Sequence, residues 1–388
     1  MNWKKVLLIA MAALFVLALV GCGTTTDDVV DTTTTDVADE TSEGLRIAIV
    51  TSPSGVDDGS FNQNNYDGIQ SFIKSHPEAT VNAIRETDMA NSIPAVEAIV
   101  GDYDVIVTPG FQFAGITEIA RANPDKYFIL VDSFPSNPED PEGDAVEVDN
   151  IYAMTFAEQE SGFFAGIAAA LESQAKKVAF VGGIAIPPVV NYQLGFDSGV
   201  AYANKHFDTD VEVVEIASYA GTDVFDNSVG GNYVGDFADE AGGKKVAEAL
   251  LAEGADVLFV AAGGSGNGAF TAVKEATDAW VIGCDVDQFG DGVNGDDNIV
   301  LTSALKVMDI NVERQLTAIA NGTFKGGNYL LQADTESTGF VNTEGSHQLS
   351  ADTIEKLKAA FDDVKSGVIV PAGQFTDHAA DDFPGLNL

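Results

Sequence analysis

The residues best equipped for chemistry in this chain stand where apolar runs end. After Val50 come Thr51, Ser52, Pro53, Ser54 and Gly55, then Val56-Asp57-Asp58-Gly59-Ser60-Phe61-Asn62-Gln63. Val107 is followed by Thr108, Pro109 and Gly110, and Val131 by Asp132 and Ser133. Later, Val181 precedes Gly182-Gly183, Val260 precedes Ala261-Ala262-Gly263-Gly264-Ser265-Gly266-Asn267-Gly268, and Asp285 closes a run of its own. These types suit the binding of a small polar molecule: carboxylates accept from hydroxyls and amines, and glycine lets backbone approach a ligand closely. They do not read as a reaction centre. The string GGSGNG lacks the GK[ST] ending of a phosphate loop and reads as a strand-to-helix turn. Asp57 and Asp58 have the types of a metal or acid/base pair, but turn and cap roles are simpler. None of the four histidines, His76, His206, His347 and His378, follows such a run, and neither GxSxG nor HExxH occurs. No catalytic residue, metal or cofactor is expected.

Positioning such segments requires strands that end together. Residues 45–51 (LRIAIVT), 103–108 (YDVIVT) and 127–132 (YFILVD) read as buried strands, with a weaker one at 80–84. Helical spacing follows at 64–76, through Tyr66, Ile69, Phe72 and Ile73, and at about 113–122. Residues 149–156 lead into an Ala- and Gly-rich helix at about 158–171. A second series then runs strand 177–182, helix 190–204, strand 211–217, helix 239–253, strand 257–261, helix 268–277, strand 280–285 and strand 299–303. Residues 309–321 are helical, and 354–365 form a late helix with Ile354, Leu357, Phe361 and Val364 on one face. Continuous apolar runs without alternation belong to parallel strands covered on both faces, and alternation of strand and helix gives doubly wound sheets. The expectation is an α/β protein of two Rossmann-like lobes: residues 45–150 plus about 304–335, and 151–303 plus about 336–388. Ligands of such sheets sit outside the carboxyl ends of the strands, so two lobes make a clamshell that closes on a hinge.

Composition narrows the partners. The chain has 388 residues, 45% of them hydrophobic, and 19 Lys and Arg against 60 Asp and Glu, a net charge of −41. So acidic a body lacks the basic footprint that nucleic acid or an anionic lipid surface requires. At the front, Lys4 and Lys5 precede an apolar run from Val6 to Val20 and then small residues, the layout of a signal peptide over residues 1–21. Fifteen residues fall short of the ~20 that a spanning helix needs. Leu19-Val20-Gly21-Cys22 resembles the lipobox of bacterial lipoproteins, in which Cys22 takes a lipid and becomes the mature N-terminus. Residues 22–44, rich in Thr, Asp and Glu, read as a flexible tether that reaches about 70 Å when extended. Cys284, in WVIGC, reads as a small buried hydrophobe.

The string VTSPSGVDDGSFNQNNYDG resembles the opening signature of the basic membrane protein family, the PnrA-like nucleoside-binding lipoproteins of ABC transporters. YDVIVTPGFQF, FILVDS, AMTFAEQESGFFAGIAAAL, KVAFVGG, GFDSGVAYAN, GDFADEAGGKKVAEALLAEGADVLFVAAGGSGNGAF, VIGCDVDQ and LTSALKVMD follow the family pattern in order, so the likeness spans at least residues 45–309. It implies a periplasmic-binding-protein type I clamshell on the outer side of the cell membrane, lipid-anchored through Cys22, monomeric, and delivering a nucleoside, above all a purine nucleoside, to permease subunits. It also implies that the base stacks between Phe61 and an aromatic of the second lobe. Phe237 in GDFADE matches that aromatic; Phe225 is a rival, because residues 219–236 look like an insertion. Asn62 lies beside Phe61, Asp132 matches a carboxylate on the sugar side, Asp285 in GCD matches a further carboxylate, Lys306 in TSALK matches the lysine, and Gly266 or Gly268 supplies close backbone. One position departs: the family commonly has Asp after VT, where this chain has Ser52, one rotatable hydroxyl in place of a two-oxygen acceptor.

Two other readings stay open on the residues alone. The same fold accommodates another ligand, such as a sugar, riboflavin or a signalling molecule, and sugar receptors also stack aromatics. A nucleoside hydrolase built on Asp57 and Asp58 with calcium is the enzymatic alternative.

Overall fold

A computed structural model describes residues 44–140, 143–374 and 376–387. The segments read from sequence as a signal peptide and a tether, with Cys22, lie outside the described residues, which begin at residue 44. From Leu45 the chain builds β1 (Arg46–Thr51), α1 (Phe61–Ser75), β2 (Thr80–Arg85), α2 (Ser92–Ile99), β3 (Val105–Pro109), α3 (Thr117–Ala122), β4 (Tyr127–Val131) and β5 (Ile151–Phe156). There follow α4 (Glu158–Glu172), β6 (Lys177–Gly182), α5 (Pro187–Phe207), β7 (Glu212–Val213), a ribbon of β8 (Gly221–Thr222) and β9 (Ser228–Gly230), α6 (Glu240–Ala252), β10 (Val257–Ala261), α7 (Gly264–Glu275) and β11 (Trp280–Asp285). The last part holds a ribbon of β12 (Val293–Asn294) and β13 (Asp297–Asn298), then β14 (Val300–Lys306), α8 (Met308–Ala320), β15 (Gly327–Leu331), β16 (Thr338–Phe340) and α9 (Ala351–Lys365).

These strands make two six-stranded sheets, ordered β15-β5-β4-β3-β1-β2 and β16-β14-β11-β10-β6-β7. All pairings within the first are parallel, and in the second only β16 runs antiparallel, against β14. β3 and β10 are buried at every residue, as strands covered on both faces must be. Helices α4 and α5 pack so closely that a Cβ on Gly166 or Gly199 would lie 2.1 Å from a carbonyl oxygen of the other helix.

Three segments join the lobes: Phe156 to Glu158, Lys306 to Met308, and Leu331 to Thr338. The division differs from the one expected. Residues 151–156 are β5 and belong to the first sheet, where Phe128 pairs with Ile151, so the first crossing falls after Phe156. β14 stays in the second sheet through Lys306, so the return crossing falls after 306 rather than near 304. Two elements also differ in extent. The strand expected over 211–217 is cut to Glu212–Val213, because buried Asn232 takes its place: its Nδ2 donates to the carbonyls of Phe180 and Val214, and its Oδ1 accepts from the Ile216 amide. The helix expected over 268–277 begins four residues earlier, at Gly264.

Candidate functional site

The carboxyl ends of the two sheets face each other, and the turns beyond them are strained in a telling pattern. Asp132 after β4 and Asp285 at the end of β11 have φ of 61° and 68°, a left-handed backbone rare outside glycine. Strain of this kind, about 1–3 kcal/mol per residue, concentrates at ligand-binding sites. Both side chains point at one lysine. Lys306, at the end of β14, donates from Nζ to Asp132 Oδ2 at 2.6 Å, with Glu158 Oε1 at 3.6 Å and Asp285 Oδ1 at 3.8 Å. Its ammonium also lies 4.9 Å from the centre of the Phe61 ring, within range of a cation–π attraction.

Two of the three carboxylates, Asp285 and Glu158, are also held by other groups. Tyr192 donates its hydroxyl to Asp285 Oδ1 (3.0 Å), and Asn191 donates to Glu158 Oε2 (3.0 Å), both from the first turns of α5. Ser60, from the opposite lobe, donates its hydroxyl to Asp285 Oδ2 at 2.9 Å. Two further hydrogen bonds cross between the lobes beside it, Ser54 Oγ to the Phe237 carbonyl (3.0 Å) and Gln288 Nε2 to the Gly59 carbonyl (3.4 Å). The segment from Ser54 to Ser60 thus lines the first lobe while gripping the second.

Burial sets the charges. Three carboxylates surround one ammonium, and all are nearly out of solvent, Lys306 being 3% exposed. Burial opposes the lysine's charge, but Asp132, Asp285 and Glu158 outweigh it and raise its pKa, so it stays protonated. Burial pushes Glu158 up to about 7, against the pull of Lys306 and with the push of Asp132. Asp132 is raised too, by burial first, with Lys306 working the other way. The cluster therefore has more acceptor capacity than donors. Asp132 Oδ1 and Asn62 Oδ1 are buried with no hydrogen-bond partner.

Around this polar end lies a cavity of about 660 Å³, part of it open to solvent, within the ~300–1,000 Å³ usual for small-molecule sites. Phe61 reaches it from the first lobe and Phe237 from the second, with Met89, Phe111, Ile186 and Val189 completing apolar walls. The Phe237 ring lies directly over Gly183, where any Cβ would stand 2.4 Å from it. Of the residues expected from sequence, Ser52, Phe61, Asn62, Asp132, Phe237, Asp285 and Lys306 all line this one cavity. Phe225 does not; it stands 60% exposed on the turn of the β8–β9 ribbon. Asp58 acts as a cap: its carboxylate accepts from the amides of Ser60, Asn62 and Gln63 at the start of α1 and from Asn62 Nδ2. Asp57, its neighbour, is exposed to solvent.

Gly266 and Gly268 are corrected. Both lie inside α7 and neither lines the cavity. A Cβ on Gly268 would come within 1.8 Å of the Glu240 carbonyl oxygen, and one on Gly266 within 3.1 Å of Val260 Cγ1. They let α7 pack against α6 and β10. In this turn the glycine that lines the cavity is Gly263, with φ of 52°, joined from the first lobe by Gly110 after β3. Gly268→Val should accordingly destabilise the empty protein by about 1–3 kcal/mol, as overpacking does, and urea titration without ligand measures it. Sequence reasoning passed over Glu158 and Tyr192. Glu158 was legible in one respect: it is an acid opening an Ala- and Gly-rich helix, and such a residue, once buried, needs a cation.

The comparisons with known proteins decide the family. A profile described as ABC transporter substrate-binding protein PnrA-like matches residues 46–224 and 225–374. The chain belongs to this PnrA-like family. The CD4+ T-cell-stimulating antigen of Listeria innocua is 28% identical to the chain over 377 residues, covering 92% of the chain and 95% of that protein. The ABC transporter nucleoside-binding protein BmpA of Lactococcus lactis is 29% identical over 300 residues, 73% of the chain and 77% of that protein. Among solved structures, an ABC transporter solute-binding protein from Aeropyrum pernix superposes with a TM-score of 0.71 at 24% identity, covering 86% of the chain and 94% of that structure. The PnrA-like chain thus has the two-lobed type I fold of solute-binding proteins, and its family consists of transporter substrate-binding proteins rather than enzymes. Among the described residues no helix is long and apolar enough to cross a membrane.

Proposed function

We propose that this PnrA-like protein is a lipid-anchored extracytoplasmic receptor that binds a nucleoside, above all a purine nucleoside, between its lobes and passes it to an ABC permease. The observation that carries this reading is the pairing, in one cavity, of an aromatic from each lobe with a donor-poor carboxylate cluster at one end. A heterocyclic base gains ~1–3 kcal/mol from each aromatic it stacks on. A ribose diol is a pair of donors, and hydrogen bonds from hydroxyl to carboxylate are of the stronger, charge-assisted kind. Asp132 Oδ1, unpartnered, is the acceptor best placed to receive one. Lys306 supplies the complementary donor to a sugar oxygen.

Ser52 bears on which base is preferred. Its Oγ already accepts from Asn62 Nδ2 at 3.0 Å, so the hydroxyl proton remains for the ligand. A base edge presenting an acceptor there suits this chain, where an aspartate would favour a donor.

A thermal-shift screen of nucleosides, free bases, riboflavin and sugars tests the reading. A ligand at 100 times its Kd stabilises by about 2.7 kcal/mol. Response to inosine, adenosine or guanosine but not to sugars supports it; silence across all nucleosides overturns the ligand and leaves the fold. Phe61→Ala should weaken nucleoside binding by about 1–3 kcal/mol, one stacking contact. Phe61 also packs on the core of the first lobe, so a modest loss of stability accompanies it. Calorimetric titration beside a urea melt separates the two. Anchoring through Cys22 predicts that the mature chain partitions with membranes and that Cys22→Ser releases it.

A further inference from the structure

Beside the ligand cavity lies a second, larger chamber, about 1600 Å³ of space that opens to solvent. The two share Phe111, Asp132 and Pro188 in their walls, so the chamber begins at the carboxylate end of the site. Phe134 and Phe156 line its depth. Its rim comes from both lobes: Leu330 on β15 from the first, and Val224 with Phe225, on the turn of the β8–β9 ribbon, from the second. These three are 53%, 51% and 60% exposed, among the largest apolar exposures in the described residues. The turn that presents two of them is firmly built. Asp223 accepts from the amides of Phe225 (2.9 Å) and Asn227 (2.8 Å) and from Gln374 Nε2 (2.9 Å). Apolar side chains held out on a fixed turn, facing a third across an opening, mark a surface that something covers.

The polar lining limits what that is. Among the described residues lining the chamber there is no Lys, Arg or His, whereas Asp132 and Glu158 are both in its wall. A phosphate entering from the sugar end meets two carboxyl groups, and the one cation there, Lys306, is already shared among Asp132, Glu158 and Asp285. An uncharged alkyl group meets aromatic and aliphatic side chains.

We propose that this chamber is a second subsite of the cleft, taking an apolar substituent carried on the sugar of the nucleoside and rejecting the 5′-phosphate of a nucleotide. The inference rests on the nucleoside reading above. The exocyclic 5′ carbon is the one place on ribose where a substituent leaves the vicinal diol free for Asp132 and Asp285, so 5′-alkylthio nucleosides are the ligand class that fits both compartments.

Calorimetric titration of the purified protein with adenosine and inosine, their 5′-deoxy-5′-methylthio counterparts and their 5′-monophosphates tests this. The methylthio compound should bind at least as tightly as its parent, and the monophosphate at least about tenfold more weakly. Trimming the rim in the double variant Val224→Ala/Leu330→Ala should cost the methylthio compound about tenfold, the scale of apolar contacts of a few methyl groups, and leave the parent nucleoside within about twofold. A methylthio compound weaker than its parent, or a double variant that weakens both alike, overturns the subsite while the nucleoside reading stands. Binding by neither parent nucleoside overturns that reading, and the subsite with it.

Discussion

A Lys306→Met variant is expected to lose nucleoside binding and to be less stable than the parent protein by about 3–5 kcal/mol, the usual cost of removing one partner from a buried ionic cluster. Methionine preserves much of the volume, so the loss is electrostatic: Asp132, Glu158 and Asp285 keep their places with no cation among them. The deficit should shrink as pH falls, because protonation relieves carboxylates that have lost their counter-charge. Urea denaturation at pH 8 and pH 5 reads both effects. An equal loss at the two pH values would mean that packing, not charge, had been removed.

The unmodified protein should itself be more stable at pH 5 than at pH 7.5. Glu158 and Glu160 are both pushed up to about 7, in each case by burial first, from an ordinary value of 4.5. Between 4.5 and 7 the folded chain holds protons that the unfolded chain has released. Stability from these groups is therefore complete below about pH 4.5 and is lost as pH rises toward 7. At 1.36 kcal/mol per pH unit, each contributes on the order of 3 kcal/mol over that span. Asp104, held below its ordinary value chiefly by its hydrogen bond from Arg46, acts in the opposite sense only at lower pH. The net charge of −41 adds self-repulsion of the same sign as the buried acids, since it too falls on acidification. Asp197, also pushed up to about 7 by burial first, adds to the trend; urea midpoints at the two pH values measure it, and Glu158→Gln with Glu160→Gln should lessen it. A midpoint that rises with pH would contradict the assignment.

Much of this architecture was legible because parallel strands buried on both faces write themselves as unbroken apolar runs: 45–51, 103–108, 127–132, 257–261 and 280–285 all fall on observed strands. The turns after those strands were legible for the same reason, which is how Ser52, Asp132 and Asp285 were reached. What stayed hidden depends on contacts distant in sequence. β5 looked like the lead-in to a helix because its place beside β4 is fixed by pairing, not by composition. Tyr192 reads as one more aromatic in a buried helix until its hydroxyl is seen on Asp285, ninety-three residues away. Gly266 and Gly268 stand in a glycine-rich turn motif, but only the tight meeting of α7 with Glu240 reveals them as packing residues. The two phenylalanines, Phe225 and Phe237, could not be ranked from spacing; the ribbon that carries Phe225 out to the cleft rim separates them.

The hydrogen bond from Ser60 to Asp285 has a kinetic meaning apart from its place in the cavity wall. For the lobes to part around a bound molecule, this bond and its neighbours, from Ser54 to Phe237 and from Gln288 to Gly59, must give way. Each is worth about 1 kcal/mol, more where a carboxylate accepts. How long a passenger remains aboard, and how readily it is handed on, is then governed partly by two serines that grip the other half of the protein across the cleft.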